Sequence, residues 1–243
     1  MKTTVKIFLA GLLSANWGAS QAIELNKDFS VALNAGVYSD YKSRGVSQTK
    51  GDPAVQGSVT LSHSSGAYIG AWSSNVDFGH GSPTRQEIDY YAGYFWQISE
   101  EISLDLAYYN YEYPKQSSLN YSETYARLTA YGAYVGGYYS DDLYGNQSYL
   151  YSFIGYGVTL PLEIGLDIRY GRVDFKDGII ADENNHTRDS YNEWQASLKK
   201  EFISLDWSLS YVDSNLSRSE CESYSGYRDT CSPSVVVGVS KTF

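Results

Sequence analysis

The chain has 243 residues, a formal net charge of −10, and 25 tyrosines beside 8 phenylalanines and 5 tryptophans. An acidic chain with no basic stripe is not built to bind nucleic acid. It also holds no continuous apolar stretch of the roughly 18 residues a membrane helix needs, which excludes a helical membrane protein.

Taken in chain order, residues 1–22 read as a signal peptide. Lys2 and Lys6 supply the charged start, Ile7 to Leu13 the apolar run, and Ser20-Gln21-Ala22 the small-residue cleavage site. The apolar run is too short to span a bilayer. Residues 23–243 then form one mature domain, and losing the two lysines takes the net charge to −12.

From Ile23 onward the dominant signal is period two. Ile203, Leu205, Trp207, Leu209 and Tyr211 alternate with Ser204, Asp206, Ser208 and Ser210. Ile164, Leu166, Ile168 and Tyr170 alternate with Gly165, Asp167 and Arg169, and Ile102, Leu104, Leu106 and Tyr108 with Ser103, Asp105, Ala107 and Tyr109. Such alternation is the mark of strands with one apolar face. It predicts strands near 28–38, 53–63, 66–76, 86–97, 101–113, 121–131, 133–140, 148–159, 163–175, 190–200, 203–213 and 233–243. The alternation is most blurred over 133–140, around Gly136-Gly137.

Short connections at Ser64-Ser65, Ser99-Glu100, Gly132, Pro161-Leu162 and Glu201-Phe202 take turns with long ones at 39–52, 77–85, 114–120, 141–147, 176–189 and 214–232. That asymmetry is expected of an all-β, transmembrane, antiparallel up-and-down barrel of twelve strands, with short periplasmic turns, long extracellular loops and both termini periplasmic. A secreted β-sandwich or lipocalin-like barrel with an apolar interior is the alternative. Against it stand strand lengths that match a tilted bilayer crossing, the alternation of loop lengths, and a terminal Phe243. With Val239, Val237 and Val235 on its face, Phe243 resembles the C-terminal signature read by the barrel-assembly machinery; Lys241 departs from it. Cys221 and Cys231 lie close together in a polar segment of an exported chain, and a disulfide is the natural reading, with free thiols the alternative. Such a clamp would contribute roughly 2 to 3 kcal/mol, locally.

The run Ser39-Asp40-Tyr41-Lys42-Ser43-Arg44-Gly45-Val46-Ser47-Gln48-Thr49, followed by Pro53-Ala54-Val55-Gln56-Gly57, resembles a proteobacterial porin family known as TorF. Gly66-Ala67-Tyr68-Ile69-Gly70, Ser74-Asn75-Val76, Glu87 to Tyr94 and Tyr111-Glu112-Tyr113-Pro114 extend the resemblance over most of the mature chain. It implies an outer-membrane location and a channel-like role without naming a solute.

If the apolar faces meet lipid, the other faces line a lumen. They supply Glu87, Asp89, Asp105, Glu123, Arg127, Asp167, Arg169, Glu193, Lys199 and Asp206, mixed charges with an acidic excess. Such a lumen either favours cations or is stiffened by salt bridges. Twelve tilted strands give a backbone diameter of roughly 24 Å and a free bore of about 10 Å or less. That bore passes ions, nucleosides or small sugars. Inward Tyr91, Tyr109, Tyr111 and Tyr125 offer stacking faces, although filling space and hydrogen bonding is the simpler role. Arg44 and Asp40 are expected to anchor the first long loop at the rim by an ion pair; otherwise the loop folds inward and brings Arg44 to Glu87 as a charge filter.

The expected function is passive diffusion of small solutes, with a closed structural or adhesive barrel acting through its loops as the alternative. An outer-membrane lipase finds no support, because His63, His80 and His186 fall at turns and loops without a strand-borne Ser and Asn arrangement. No catalytic residue, metal site or cofactor is expected; Asp182-Glu183 and His186 fit no ligand spacing.

Overall fold

A computed structural model of the protein describes residues 22–145 and 147–243. The predicted signal peptide, apart from Ala22, lies outside the described residues. Twelve long strands make the fold: β1 (Phe29–Tyr38), β2 (Ala54–His63), β3 (Ala67–Asn75), β4 (Gln86–Gln97), β5 (Ile102–Glu112) and β6 (Tyr121–Ala130). They continue as β7 (Ala133–Leu143), β8 (Gln147–Leu160), β9 (Ile164–Phe175), β10 (Ser190–Phe202), β11 (Leu205–Ser214) and β12 (Ser234–Thr242). Each pairs antiparallel with its neighbour in sequence, and β12 returns to β1 through Val239↔Val37 and Lys241↔Ala35. The sheet is therefore a closed barrel, which leaves no long strand with an unpaired edge.

Period two along each strand becomes two surfaces of opposite chemistry. Val59, Ile69, Leu106, Leu128, Val135, Ile168, Leu209 and Val237 face outward, and Ile154 keeps 60% of its surface exposed. Exposed Tyr94, Trp96, Tyr156 and Trp207 lie toward the short-turn end of this belt, and Tyr90, Tyr139 and Tyr211 toward the long-loop end. The buried side of the wall carries Glu87, Asp89, Asp105, Glu123, Asp167 and Glu193 among tyrosines. A soluble barrel has the opposite polarity.

Two predicted connections are corrected. The last short turn is Ile203-Ser204, not Glu201-Phe202, because Phe202 pairs with Leu205 and Glu201 with Asp206. Both turn residues have positive φ, 54° and 56°, the backbone of a two-residue hairpin turn. The predicted long loop over 141–147 contracts to 144–146, since β7 bulges after Ser140 and pairing resumes at Leu143↔Gln147.

Candidate functional site

The first long loop, residues 39–53, holds a miniature hairpin in which Lys42 pairs with Ser47 and Ser43 with Val46. Its tip is Arg44-Gly45, with φ of 49° and 83°. Glycine suits the second position on two counts: the positive φ, and the 3.0 Å that would separate a Cβ there from the Ser214 Cβ. The hairpin points its tip at the barrel wall. The Arg44 guanidinium lies 2.5 Å from Glu123 Oε1 and donates to the Tyr149 hydroxyl. It sits 4.9 to 5.2 Å from the ring centres of Tyr138, Tyr149 and Tyr151, within cation–π range. Tyr191 donates to the Arg44 carbonyl at 3.0 Å.

Neighbouring loops hold the hairpin down. Lys42 donates to the carbonyls of Thr230 and Ser232, at 2.8 and 3.2 Å, and the Ser47 amide to Thr230 at 2.8 Å. These acceptors flank Cys231, which is disulfide-bonded to Cys221 on the short helix α1 (Arg218–Ser225). Ser217 caps that helix, and its capping box with Glu220 is complete. Lys50 lies 2.8 Å from Asp77 on the neighbouring loop and holds that carboxyl below the usual carboxylate range.

The loop therefore folds inward, contrary to the expected rim ion pair, and the partner of Arg44 is Glu123 rather than Glu87. Asp40 instead braces the base of the hairpin, accepting from Ser47 Oγ at 2.5 Å and Thr49 Oγ1 at 2.9 Å. Glu87 meets the Tyr41 hydroxyl at 3.5 Å.

Deeper inside, tyrosine hydroxyls answer carboxylates across the sheet. Tyr68 donates to Asp105 at 2.8 Å, Tyr111 to Glu123 at 2.5 Å, Tyr134 to Asp167 at 3.0 Å and Tyr151 to Glu193 at 2.5 Å. Arg169 lies 3.1 Å from Glu193 and also reaches Gln195. Arg127, in register with Asp105, places its guanidinium 3.9 Å from the centre of the Tyr134 ring. Asp89 differs, with both carboxylate oxygens buried and lacking a hydrogen-bond donor. Arg44, Glu87, Asp89, Asp105, Glu123, Arg127, Asp167 and Arg169 thus all sit on the inward side, and Arg44 with Glu123 and Arg169 with Glu193 form close ion pairs.

Sequence reasoning missed the cage of Tyr138, Tyr149 and Tyr151 around Arg44. Their shared inward parity on adjacent strands is a signal for the cage, but nothing local marks the loop that fills it. Toward the long-loop end Tyr109 is 2% exposed, Glu123 1% and Glu193 0%, so side chains crowd the lumen there. Above them a cavity of about 420 Å³ opens toward the long loops, walled in part by Tyr113, Tyr121, Tyr149, Phe175 and Tyr224.

Among the histidines, His80 stacks on Tyr227, His186 contacts Asp182, and His63 meets Ser65 at 2.9 Å in an exposed turn. Among the described residues no group of three or more His, Cys, Asp or Glu is placed to hold a metal ion.

A closed twelve-stranded barrel with an apolar exterior and a charged interior defines the class. Within it, the chain belongs to the family described as bacterial protein of unknown function (Gcw_chp), whose model matches residues 22–243. No curated protein matches the sequence. Among solved structures, the KdgM porin in complex with disordered oligogalacturonate is similar in fold, with a TM-score of 0.50 and 12% identity over 88% of this chain and 98% of that one. The NanC porin gives a TM-score of 0.48 and 10% identity over 87% and 98%. OccK7 of Pseudomonas aeruginosa gives 0.41 and 10% over 91% of this chain and 66% of its own.

Proposed function

We propose that the protein is an outer-membrane channel for passive diffusion of small solutes, exported by its N-terminal segment, with both termini in the periplasm. The observation that carries this reading is the inverted polarity of the barrel. Apolar side chains, flanked by aromatic ones, cover the outside, and ionisable ones gather within. A lipid environment rewards the first surface, and an aqueous path rewards the second. The resemblance of the Ser39 to Thr49 run to TorF porins and the fold shared with the KdgM porin support the same reading.

The interior carries more acid than base, which favours cations. Passage requires the Arg44 hairpin and the tyrosines beneath it to move, so the unit current is small. A non-enzymatic role follows from the channel reading.

Planar-bilayer recording of refolded protein under a salt gradient tests the proposal. The expected result is a small conductance with a cation-favouring reversal potential. An anion preference would contradict the charge argument. The crowded long-loop half of the interior favours a second reading, a closed structural or adhesive barrel acting through its loops. Absence of current from both wild type and Arg44→Ala, each folded by heat-modifiable gel mobility, would establish that reading and remove the channel.

A further inference from the structure

Arg44 is more than a plug, because its surroundings describe a binding site that it only partly fills. A carboxylate meets the guanidinium on one side and three tyrosine rings surround it on the other. Ring faces and carboxylates together are the recognition chemistry of an organic cation.

The charge balance beside Arg44 is also incomplete. Glu87 and Asp89 share the inward face of β4, and Asp89 lies in register with Tyr111 and, across it, Tyr121. Glu123 is two residues beyond Tyr121 on β6, on the same face. Three carboxylates thus share the inward face near one end of the barrel, and one of them, Glu123, is paired with Arg44. Glu87 is 3% exposed and Asp89 0%, and Glu87 Oε2 and both Asp89 oxygens lack a hydrogen-bond donor. A buried carboxylate without a donor or counter-charge is costly, and a cation of the right shape removes the cost. The cavity of about 420 Å³ opens from the long-loop side onto Tyr113 and Tyr121, the latter in line with Asp89 across Tyr111. Since no metal-type cluster is present among the described residues, the arrangement fits a diffuse charge better than a compact ion.

We propose that this chamber binds a small organic cation, an ammonium or guanidinium compound, between the tyrosine rings and the carboxylates of Glu87 and Asp89, with Arg44 as its tethered stand-in. The inference names a solute class for the channel proposed above and rests on that reading for the route of entry, not for binding.

Calorimetry on the refolded full chain in detergent tests it, with choline and methylguanidinium as probes and uncharged 3,3-dimethylbutan-1-ol as the isostere of choline. Saturable binding of at least one cation is expected, with the isostere weaker by roughly tenfold or more. Arg44→Ala, which removes the built-in competitor, should tighten binding. Glu87→Gln should weaken it roughly tenfold, and Asp89→Asn likewise, heat-modifiable mobility confirming that each variant is folded. Equal binding of the isostere, or no saturable binding in both wild type and Arg44→Ala, overturns the proposal. Cation binding without ionic conductance upholds the site and removes the transport reading; conductance without cation binding removes the site alone.

Discussion

At the residue scale, Arg44 has three tasks whose separation is measurable. It neutralises Glu123, fills the space among Tyr138, Tyr149 and Tyr151, and ends a hairpin whose backbone is held at positive φ. Lysine keeps the charge but lacks the planar fork that spans a carboxylate and a phenol together. Arg44→Lys should therefore retain ion selectivity and lose part of the packing. Arg44→Ala leaves Glu123 buried without its cation, at a cost of about 3 kcal/mol. It should also enlarge the unit conductance and strengthen cation preference. Single-channel recording paired with a denaturant melt of the two variants checks this, and equal currents in all three proteins would relieve Arg44 of any role in the path. Among the interior tyrosines, Tyr68, Tyr111, Tyr134 and Tyr151 supply hydroxyl donors to carboxylates.

At the scale of elements, the hairpin of the first loop depends on the last loop, because Lys42 and Ser47 hang from the carbonyls of Thr230 and Ser232 beside Cys231. Replacing Cys221 and Cys231 together by Ser should leave the barrel intact and loosen both loops, since the constraint removed is a local one of roughly 2 to 3 kcal/mol. Faster proteolysis within residues 39–53, at unchanged heat-modifiable mobility, is the expected readout. Protection equal to wild type would mean that the hairpin is held independently of the disulfide. The twelve strands were legible because an apolar face outside and polar groups inside impose period two on each of them. The same rule misplaced the turn at Ile203-Ser204, where apolar and polar residues go on alternating through the bend. A β-branched residue at positive φ is uncommon, so Ile203 carries no turn signal of the Asn-Gly kind. The inward course of residues 39–53 was not legible either, because it is set by partners on β6, β8 and loop 215–233, far away in sequence.

At the scale of the whole molecule, the two ends of the sequence meet in one seam. Leu33 and Phe243 exchange backbone hydrogen bonds at 3.1 and 2.8 Å, and Lys241 pairs with Ala35. We propose that Phe243 also serves as the recognition end for the barrel-assembly machinery. Removing Phe243 should then lower the amount of folded protein reaching the outer membrane in cells, while refolding into detergent stays close to wild type. An equal loss in both settings would assign Phe243 to the seam only. That seam also sets an order of events. Since β1 is the first and β12 the last of the twelve strands, the wall stays an open sheet with two unpaired edges until β12 is available. Every other strand pair is local in sequence and can zip as it emerges, so closure is the one step that spans the whole chain and the slowest by contact separation. The barrel must be kept from pairing with its neighbours for as long as that step takes.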